Sequence, residues 1–211
     1  MRLLDGKPLV AHSIEMAKTL DMVSETFVST DSEEIAELAI SLGASYVPRP
    51  AELAGDKSDE FISWKHAVDY VIKEHGKFDM FLSLPPTSPL RQEEDIRGMI
   101  SAHGDGADIS VCVCTPKTTP DFNMAVIDDN GYLELGYPRG RAVGRSQDSM
   151  GFFDLTTVAY YCSAKFILNN DSIWAGKMKG HEVQRESAVD IDDEFDFMIA
   201  EAIVRRKREN W

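Results

Sequence analysis

The sequence predicts an α/β protein with a mostly parallel, doubly wound sheet, and three observations support this fold class. Short apolar runs, such as residues 80–83 and 109–114, indicate buried strands. Other segments carry apolar residues three or four positions apart, as over residues 9–20, and this period indicates helices packed on a sheet. Strands and helices alternate along the chain, and strands connected through helices pair in parallel.

The first half of the chain alternates regularly between the two kinds of element. Asp31 and Ser32 follow one strand, and their side-chain oxygens are suited to cap the helix that begins after them. Gly43 ends that helix. The predicted helices cover residues 9–20, 33–42, 61–73 and 93–103, and the predicted strands cover residues 26–30, 45–47, 80–83 and 109–114.

The pattern changes after residue 114. Two β-rich segments, residues 122–127 and 132–135, flank Asp129-Asn130-Gly131, which is a hairpin signal. Residues 136–149 contain three arginines and three glycines and predict a loop. A strand over residues 155–162 and a helix over 195–208 complete the chain. We predict one domain, residues 1–211, with an inserted β-hairpin arm at about 117–152.

Composition excludes several classes of function. The formal net charge of the 211-residue chain is −14, with 22 basic and 36 acidic residues, which disfavours binding to nucleic acid or to an anionic membrane surface. The sequence shows neither a membrane-length apolar run nor a signal peptide. The chain has three cysteines without CxxC spacing, which predicts reduced thiols in a cytoplasmic protein.

A proline-rich loop follows the apolar run at 80–83. Residues 84–91 (Leu-Pro-Pro-Thr-Ser-Pro-Leu-Arg) contain three prolines, so the chain leaves the sheet there as a stiff, extended segment. Open α/β sheets bind ligands at the carboxyl ends of their strands. We therefore expect this proline loop to present Thr87, Ser88 and Arg91 to a polar, anionic ligand such as a nucleotide or a sugar acid.

Two aspartates near the end of the chain are candidate metal ligands. Asp190 and Asp192 flank Ile191, and in an extended segment side chains two positions apart point to the same side. Paired carboxylates suit Mg²⁺. In the alternative interpretation, Asp192 or Asp193 only caps the terminal helix, and the spacing leaves both interpretations open.

Basic residues offer further candidate contacts. Arg49 stands between two prolines, and a guanidinium held there suits a phosphate or a base edge, although a solvated surface role is equally compatible. Arg139, Arg141 and Arg145 form a basic cluster that either binds an anion or solvates a loop. The sequence contains no complete Gly-rich phosphate loop.

Together these segments resemble a known family, the acylneuraminate cytidylyltransferases or CMP-sialic acid synthetases. The resemblance covers nearly the whole chain, and its segments occur in the order of the family. Each motif is weak alone, but the set is specific. The motifs are LDGKPL (4–9), VSTD (28–31), RPAELA (49–54), LPPTSPLR (84–91), SQD (146–148) and DID (190–192).

The resemblance implies a nucleotide-diphospho-sugar transferase fold and a reaction of CTP with a nine-carbon 2-keto sugar acid, in which Mg²⁺ takes part. It implies that Asp190 and Asp192 hold the metal and that Arg49 contacts the nucleotide. It also implies a homodimer in which the hairpin arm reaches the partner's sugar site. The predicted substrate-binding residues are Arg49, Pro86, Thr87, Ser88, Arg91, Asn123, Arg145 and Gln147.

The chain departs from the family pattern in four places. Family members begin with a strand and a triphosphate-binding loop before the position of Arg2, and this sequence begins after that loop. The other three departures are Pro85 in place of a glutamine, Ser146 in place of an arginine, and Thr-Thr-Val-Ala-Tyr at 156–160 in place of Asn-Gly-Ala-Ile-Tyr. The resemblance places these three positions in the part of the site that binds the acceptor sugar. We therefore expect an acceptor other than N-acetylneuraminate, such as legionaminic acid.

Two alternatives to this function remain open at the level of sequence. One is a cytidylyltransferase that uses an eight-carbon, Kdo-like acid. The other is a non-catalytic remnant that lost its triphosphate loop and acts as a binding protein. The sequence identifies neither the acceptor nor the general base.

Overall fold

The computed structural model describes residues 2–55, 59–138 and 151–209. Six α-helices occur in this part of the chain: α1 (Leu9–Thr19), α2 (Glu33–Ser41), α3 (Glu60–Glu74), α4 (Glu93–His103), α5 (Ala164–Asn169) and α6 (Glu194–Glu209). None of these helices is long and apolar enough to cross a membrane. The strands are β1 (Leu3–Leu4), β2 (Lys7–Pro8), β3 (Phe27–Thr30), β4 (Ser45–Pro48), β5 (Met80–Ser83), β6 (Ile109–Cys114), β7 (Ala125–Ile127), β8 (Leu133–Leu135), β9 (Asp154–Ser163) and β10 (Met178–Glu182).

A four-stranded sheet in the order β10-β6-β9-β5 forms the centre of the fold, and β3 and β4 form a separate parallel pair. The predicted α/β class is confirmed, but the four-stranded sheet is mixed. β10 runs parallel to β6, whereas β9 runs antiparallel to both β5 and β6. β9 follows the hairpin arm rather than a crossover helix, and a parallel pairing needs such a crossover.

The predicted hairpin is confirmed, because β7 and β8 pair antiparallel with Ala125 opposite Leu135. Four further elements were not predicted: the short paired strands β1 and β2, the short helix α5 and the edge strand β10. Strand β10 contains Gly180 and the polar residues Lys179, His181 and Glu182. Polar and charged side chains are common on edge strands, where they discourage pairing with other chains, and they hide the apolar alternation of a strand.

Side chains that alternate along β6 pack against helices on both faces of the sheet. On one face, Val111 lies in a cluster with Trp64 and Val68 of α3. On the other face, Cys112 lies with Ile96 and Met99 of α4. Because side chains of a strand alternate between its faces, one apolar run supplies both cores.

A third apolar cluster brings the two predicted functional segments together. Leu90 of the proline loop packs with Leu4 of β1 and with Phe197 of α6, and Ile191 covers the cluster from its edge. The fold thereby places the start of α6 beside the carboxyl end of β5.

Candidate active site

The proline loop divides its side chains between surface and interior. Pro86 is exposed and Thr87 is half-buried, whereas Ser88 is fully buried. The Ser88 hydroxyl lies 2.6 Å from the hydroxyl of Thr157 on β9. Of the two predicted hydroxyls, that of Thr87 therefore lies nearer the surface, while that of Ser88 fastens the loop to the sheet.

Arg91 lies beneath the loop and differs from the exposed guanidinium that the sequence predicts. Its side chain is only 3% exposed. Its N–H groups donate to the Val158 carbonyl at 2.8 Å, to the Ser13 hydroxyl at 2.7 Å, and to the Pro85 carbonyl. Burial lowers the pKa of Arg91 to about 10, which leaves the guanidinium charged at neutral pH. Arg91 thus ties the loop to β9 and α1.

The paired aspartates lie beside the proline loop. The backbone N–H of Ile191 donates to the Thr87 carbonyl at 2.8 Å. Ile191 also packs on the cluster that contains Leu90. The Asp190–Asp192 segment is therefore held directly beside Thr87.

The cap of α6 uses Asp193 and leaves Asp192 available. The Asp193 carboxylate accepts the backbone N–H of Asp196 at 3.0 Å, which is the bond of a helix cap. The side chain of Asp192 is exposed. Of the two interpretations that the spacing left open, the capping role falls to Asp193.

Asp190 and Asp192 form a site of concentrated negative charge. The charge of Asp190, then partial burial, and then the charges of Asp196 and Asp193 raise the pKa of Asp192. One carboxylate oxygen of Asp190 is buried without a hydrogen-bond partner among the described residues. A buried, unsatisfied carboxylate oxygen costs free energy, and a bound cation would remove that cost.

These features fit a divalent cation with oxygen ligands. The described residues contain no group of three or more histidines, cysteines or acidic residues arranged to hold a metal. Mg²⁺ is commonly bound by one or two carboxylates, with phosphates of the substrate and water completing its shell. Two aspartates beside the proline loop suit that kind of shared site.

Arg49 is fixed at the carboxyl end of β3. Its guanidinium donates to the Ser29 hydroxyl at 3.2 Å and to the Ser29 carbonyl at 2.7 Å. The side chain remains half-buried. These two bonds fix the orientation of the guanidinium, and contact with a nucleotide remains a prediction.

Glu60 at the start of α3 is a site residue that the sequence reasoning missed. Glu60 is exposed as a residue, but partial removal of its carboxyl from water raises the pKa of that carboxyl. A hydrogen bond from the Trp64 side chain lowers this pKa, and the charge of Asp190 raises it. Arg49 also acts on Glu60 electrostatically. Glu60 therefore lies within electrostatic range of both Arg49 and Asp190, although in the sequence it resembles an ordinary acidic residue in a first helical turn.

The remaining predicted substrate contacts are Asn123, Arg145 and Gln147. The Asn123 side-chain oxygen accepts the backbone N–H of Thr119 at 2.7 Å, at the base of the hairpin arm. Arg145 and Gln147 lie outside the described residues. A substrate contact by each of these three residues remains a prediction.

Comparison with known proteins identifies the family. Residues 1–124, more than half of the chain, match the family described as cytidylyltransferase. The chain belongs to the cytidylyltransferase family. Membership of this family makes the protein a nucleotidyltransferase.

Relatives match the cytidylyltransferase along nearly its whole length. A CMP-N,N′-diacetyllegionaminic acid synthase of Legionella pneumophila is 30% identical, covering 99% of this chain and 90% of the relative. The post-translational flagellin modification protein B of Campylobacter coli is 29% identical, covering 98% and 88%. An N-acylneuraminate cytidylyltransferase of Escherichia coli is 27% identical over 97% of this chain, which spans only 48% of that relative.

Solved structures support the fold. The cytidylyltransferase matches 4-diphosphocytidyl-2C-methyl-D-erythritol synthase from Anaerococcus prevotii with a TM-score of 0.68 and 13% identity, covering 96% of this chain and 91% of that one. It matches a CMP:2-keto-3-deoxy-manno-octonic acid synthetase complexed with CTP with a TM-score of 0.68 and 13% identity, covering 98% and 91%. At this identity the likeness concerns the fold alone.

Proposed function

We propose that this cytidylyltransferase transfers CMP from CTP to a sialic-acid-like nonulosonic acid, giving a CMP-sugar and pyrophosphate. The anomeric hydroxyl oxygen of the sugar bonds to the α-phosphorus, the bond from that phosphorus to pyrophosphate breaks, and the hydroxyl loses its proton. Because the three cysteines are free thiols, we place the reaction in the cytoplasm.

One observation carries the proposal. The hydrogen bond from Ile191 to Thr87 brings a carboxylate pair and a rigid loop together at the end of β5. In a member of the cytidylyltransferase family, such a site suits a nucleoside triphosphate with its metal. The acceptor class follows from the relatives that are named for N-acylneuraminate and N,N′-diacetyllegionaminic acid.

Within this proposal, each candidate site residue has a definite task. Asp190 and Asp192 hold Mg²⁺, which when bound neutralises charge on the triphosphate and on the departing pyrophosphate. Arg49 binds the nucleotide, while Pro86 and Thr87 line the pocket. The buried side chains of Ser88 and Arg91 keep the proline loop in place. We assign the acceptor contacts to Asn123, Arg145 and Gln147.

The proposed reaction predicts a specific set of products. The purified protein, incubated with CTP, Mg²⁺ and either N-acetylneuraminate, N,N′-diacetyllegionaminate or Kdo, is expected to release pyrophosphate with at least one of the two nonulosonic acids. Mass spectrometry of the CMP-sugar checks the product. Release with Kdo alone would support the eight-carbon alternative. CTP binding without release from any acid would instead support a non-catalytic binding protein.

We further propose that the hairpin arm joins two copies of the chain. Ile127 at the end of β7, Leu133 at the start of β8 and Tyr132 in the turn between them are each more than 70% exposed. A concentrated apolar surface on a soluble protein usually contacts a partner, and a second identical arm provides a self-complementary surface. Leu133→Glu is therefore expected to convert a dimer into a monomer in sedimentation experiments.

Met22 offers a matched control for this experiment. It is an exposed apolar residue, 47% accessible, that lies outside the hairpin. Met22→Glu introduces the same charge and should leave the sedimentation coefficient unchanged. A monomeric unmodified protein, or equal effects of the two substitutions, would contradict the role of the arm.

A further inference from the structure

The start of α6 contains a reciprocal set of hydrogen bonds around the aspartate pair. One carboxylate oxygen of Asp196 accepts the backbone N–H of Asp192 at 3.1 Å and that of Asp193 at 3.2 Å. In return, the backbone N–H of Asp196 donates to the Asp193 carboxylate at 3.0 Å. Asp196 thus holds the backbone of Asp192 and not only the first turn of its own helix.

We propose that Asp196 is a positioning residue, which fixes the backbone of Asp192 so that the Asp192 carboxylate stays beside that of Asp190. The inference rests on the proposed function, since it gives the two carboxylates a divalent cation to hold. It adds a task for a side chain that is not a metal ligand and that also completes the capping box of α6 with Asp193.

The segment Asp190–Asp192 is short, and the structure anchors it on both sides. On the Asp190 side, Ile191 donates its N–H to the Thr87 carbonyl and packs on the cluster that contains Phe197. On the Asp192 side, the carboxylate of Asp196 is the described anchor of the backbone N–H. Loss of this second anchor would free Asp192 while Asp190 remained in place.

The bond from the Asp192 N–H to Asp196 opposes electrostatic repulsion between Asp192 and the neighbouring carboxylates. The negative charges of Asp190, Asp193 and Asp196 all repel that of Asp192. An untethered Asp192 would turn away from these charges and towards water. A carboxylate that accepts two backbone N–H groups at a helix N-terminus forms charge-assisted bonds there, which oppose this movement.

Three variants separate the anchor from charge and from helix capping. Asp196→Asn removes the charge and retains an oxygen acceptor, whereas Asp196→Ala removes both. Asp193→Ala removes an equal charge and a cap bond from the same helical turn, but it leaves the bond between Asp196 and the Asp192 N–H. The thermal unfolding temperatures of the three variants measure how much stability each substitution removes by weakening the start of α6.

The decisive measurement is the affinity of the full chain for Mn²⁺ without nucleotide, with bound and free Mn²⁺ distinguished by electron paramagnetic resonance. Asp196→Ala is expected to weaken binding about tenfold or more, the usual effect of losing a group that supports a metal ligand. Asp196→Asn and Asp193→Ala should each remain within about threefold of the unmodified protein, because the anchor persists. Amide hydrogen exchange at Asp192 should accelerate in Asp196→Ala alone.

Several outcomes would overturn the proposal. Equal losses in Asp196→Asn and Asp196→Ala would assign the effect to charge, and an equal loss in Asp193→Ala would assign it to the helix start. Failure of the unmodified protein to bind Mn²⁺ would remove the site itself. Mn²⁺ binding requires neither CTP nor sugar, so a protein that binds Mn²⁺ and activates no sugar acid would contradict only the proposed function.

Discussion

Asp192→Asn is expected to lower the rate of CMP-sugar formation about 100-fold to 1,000-fold while the protein remains folded. A bound metal contributes several kcal/mol to the stabilisation of charge in the transition state, and about 1.4 kcal/mol corresponds to a factor of ten in rate. The Asp192 side chain is exposed, so its replacement leaves the core intact. Pyrophosphate release at saturating CTP measures the rate, and circular dichroism checks the fold.

The adjacent residue provides the control for this prediction. Asp193→Asn makes the same change of charge one position away, and an asparagine side chain still caps α6 through its oxygen. Its rate should remain within about threefold of the unmodified protein, in the range of a lost exposed charge interaction. Equal rates for Asp192→Asn and the unmodified protein would reject Asp192 as a metal ligand.

Strong local signals in the sequence single out the two segments that meet in the fold. Three prolines after an apolar run force the chain out of the sheet, and the Asp190–Asp192 spacing places two carboxylates together. The hydrogen bond between Ile191 and Thr87 joins these segments. The proline run and the aspartate spacing each depend only on residues that are adjacent in the chain, so both can be recognised from the sequence.

The direction of individual side chains within the proline loop could not be predicted in the same way. The prolines restrict the backbone, but Arg91 is buried because Val158 and Ser13 supply oxygens from distant parts of the chain. Ser88 is buried for the same reason, since its partner Thr157 lies on β9. Such contacts exist only after the sheet and α1 assemble.

Glu60 and the direction of β9 were missed for a related reason. A glutamate in the first turn of a helix has a sufficient local explanation, and its proximity to Asp190 is a property of the tertiary fold. The apolar alternation of β9 is the same for a parallel or an antiparallel strand. Its antiparallel direction becomes visible only in its pairing with β5 and β6.

The second large effect is expected from Arg91→Lys, which should lower the free energy of unfolding by about 2–4 kcal/mol. An ammonium group retains the charge that burial penalises, but it cannot reproduce the planar set of donors that contacts Val158, Ser13 and Pro85. At least one buried carbonyl then lacks a partner. Urea unfolding at neutral pH measures the change.

Arg97→Lys separates the effect of burial from that of the chemical substitution. Arg97 also uses several N–H groups, donating to Glu93 and Asp21 at 2.7 Å each, but it does so on the surface of α4. Exposed ion pairs contribute little, so this control should change the free energy of unfolding by less than about 1 kcal/mol. If Arg91→Lys were equally mild, Arg91 would not hold the proline loop in place. A large loss confined to Arg91 would show that the loop depends on a guanidinium inside the protein.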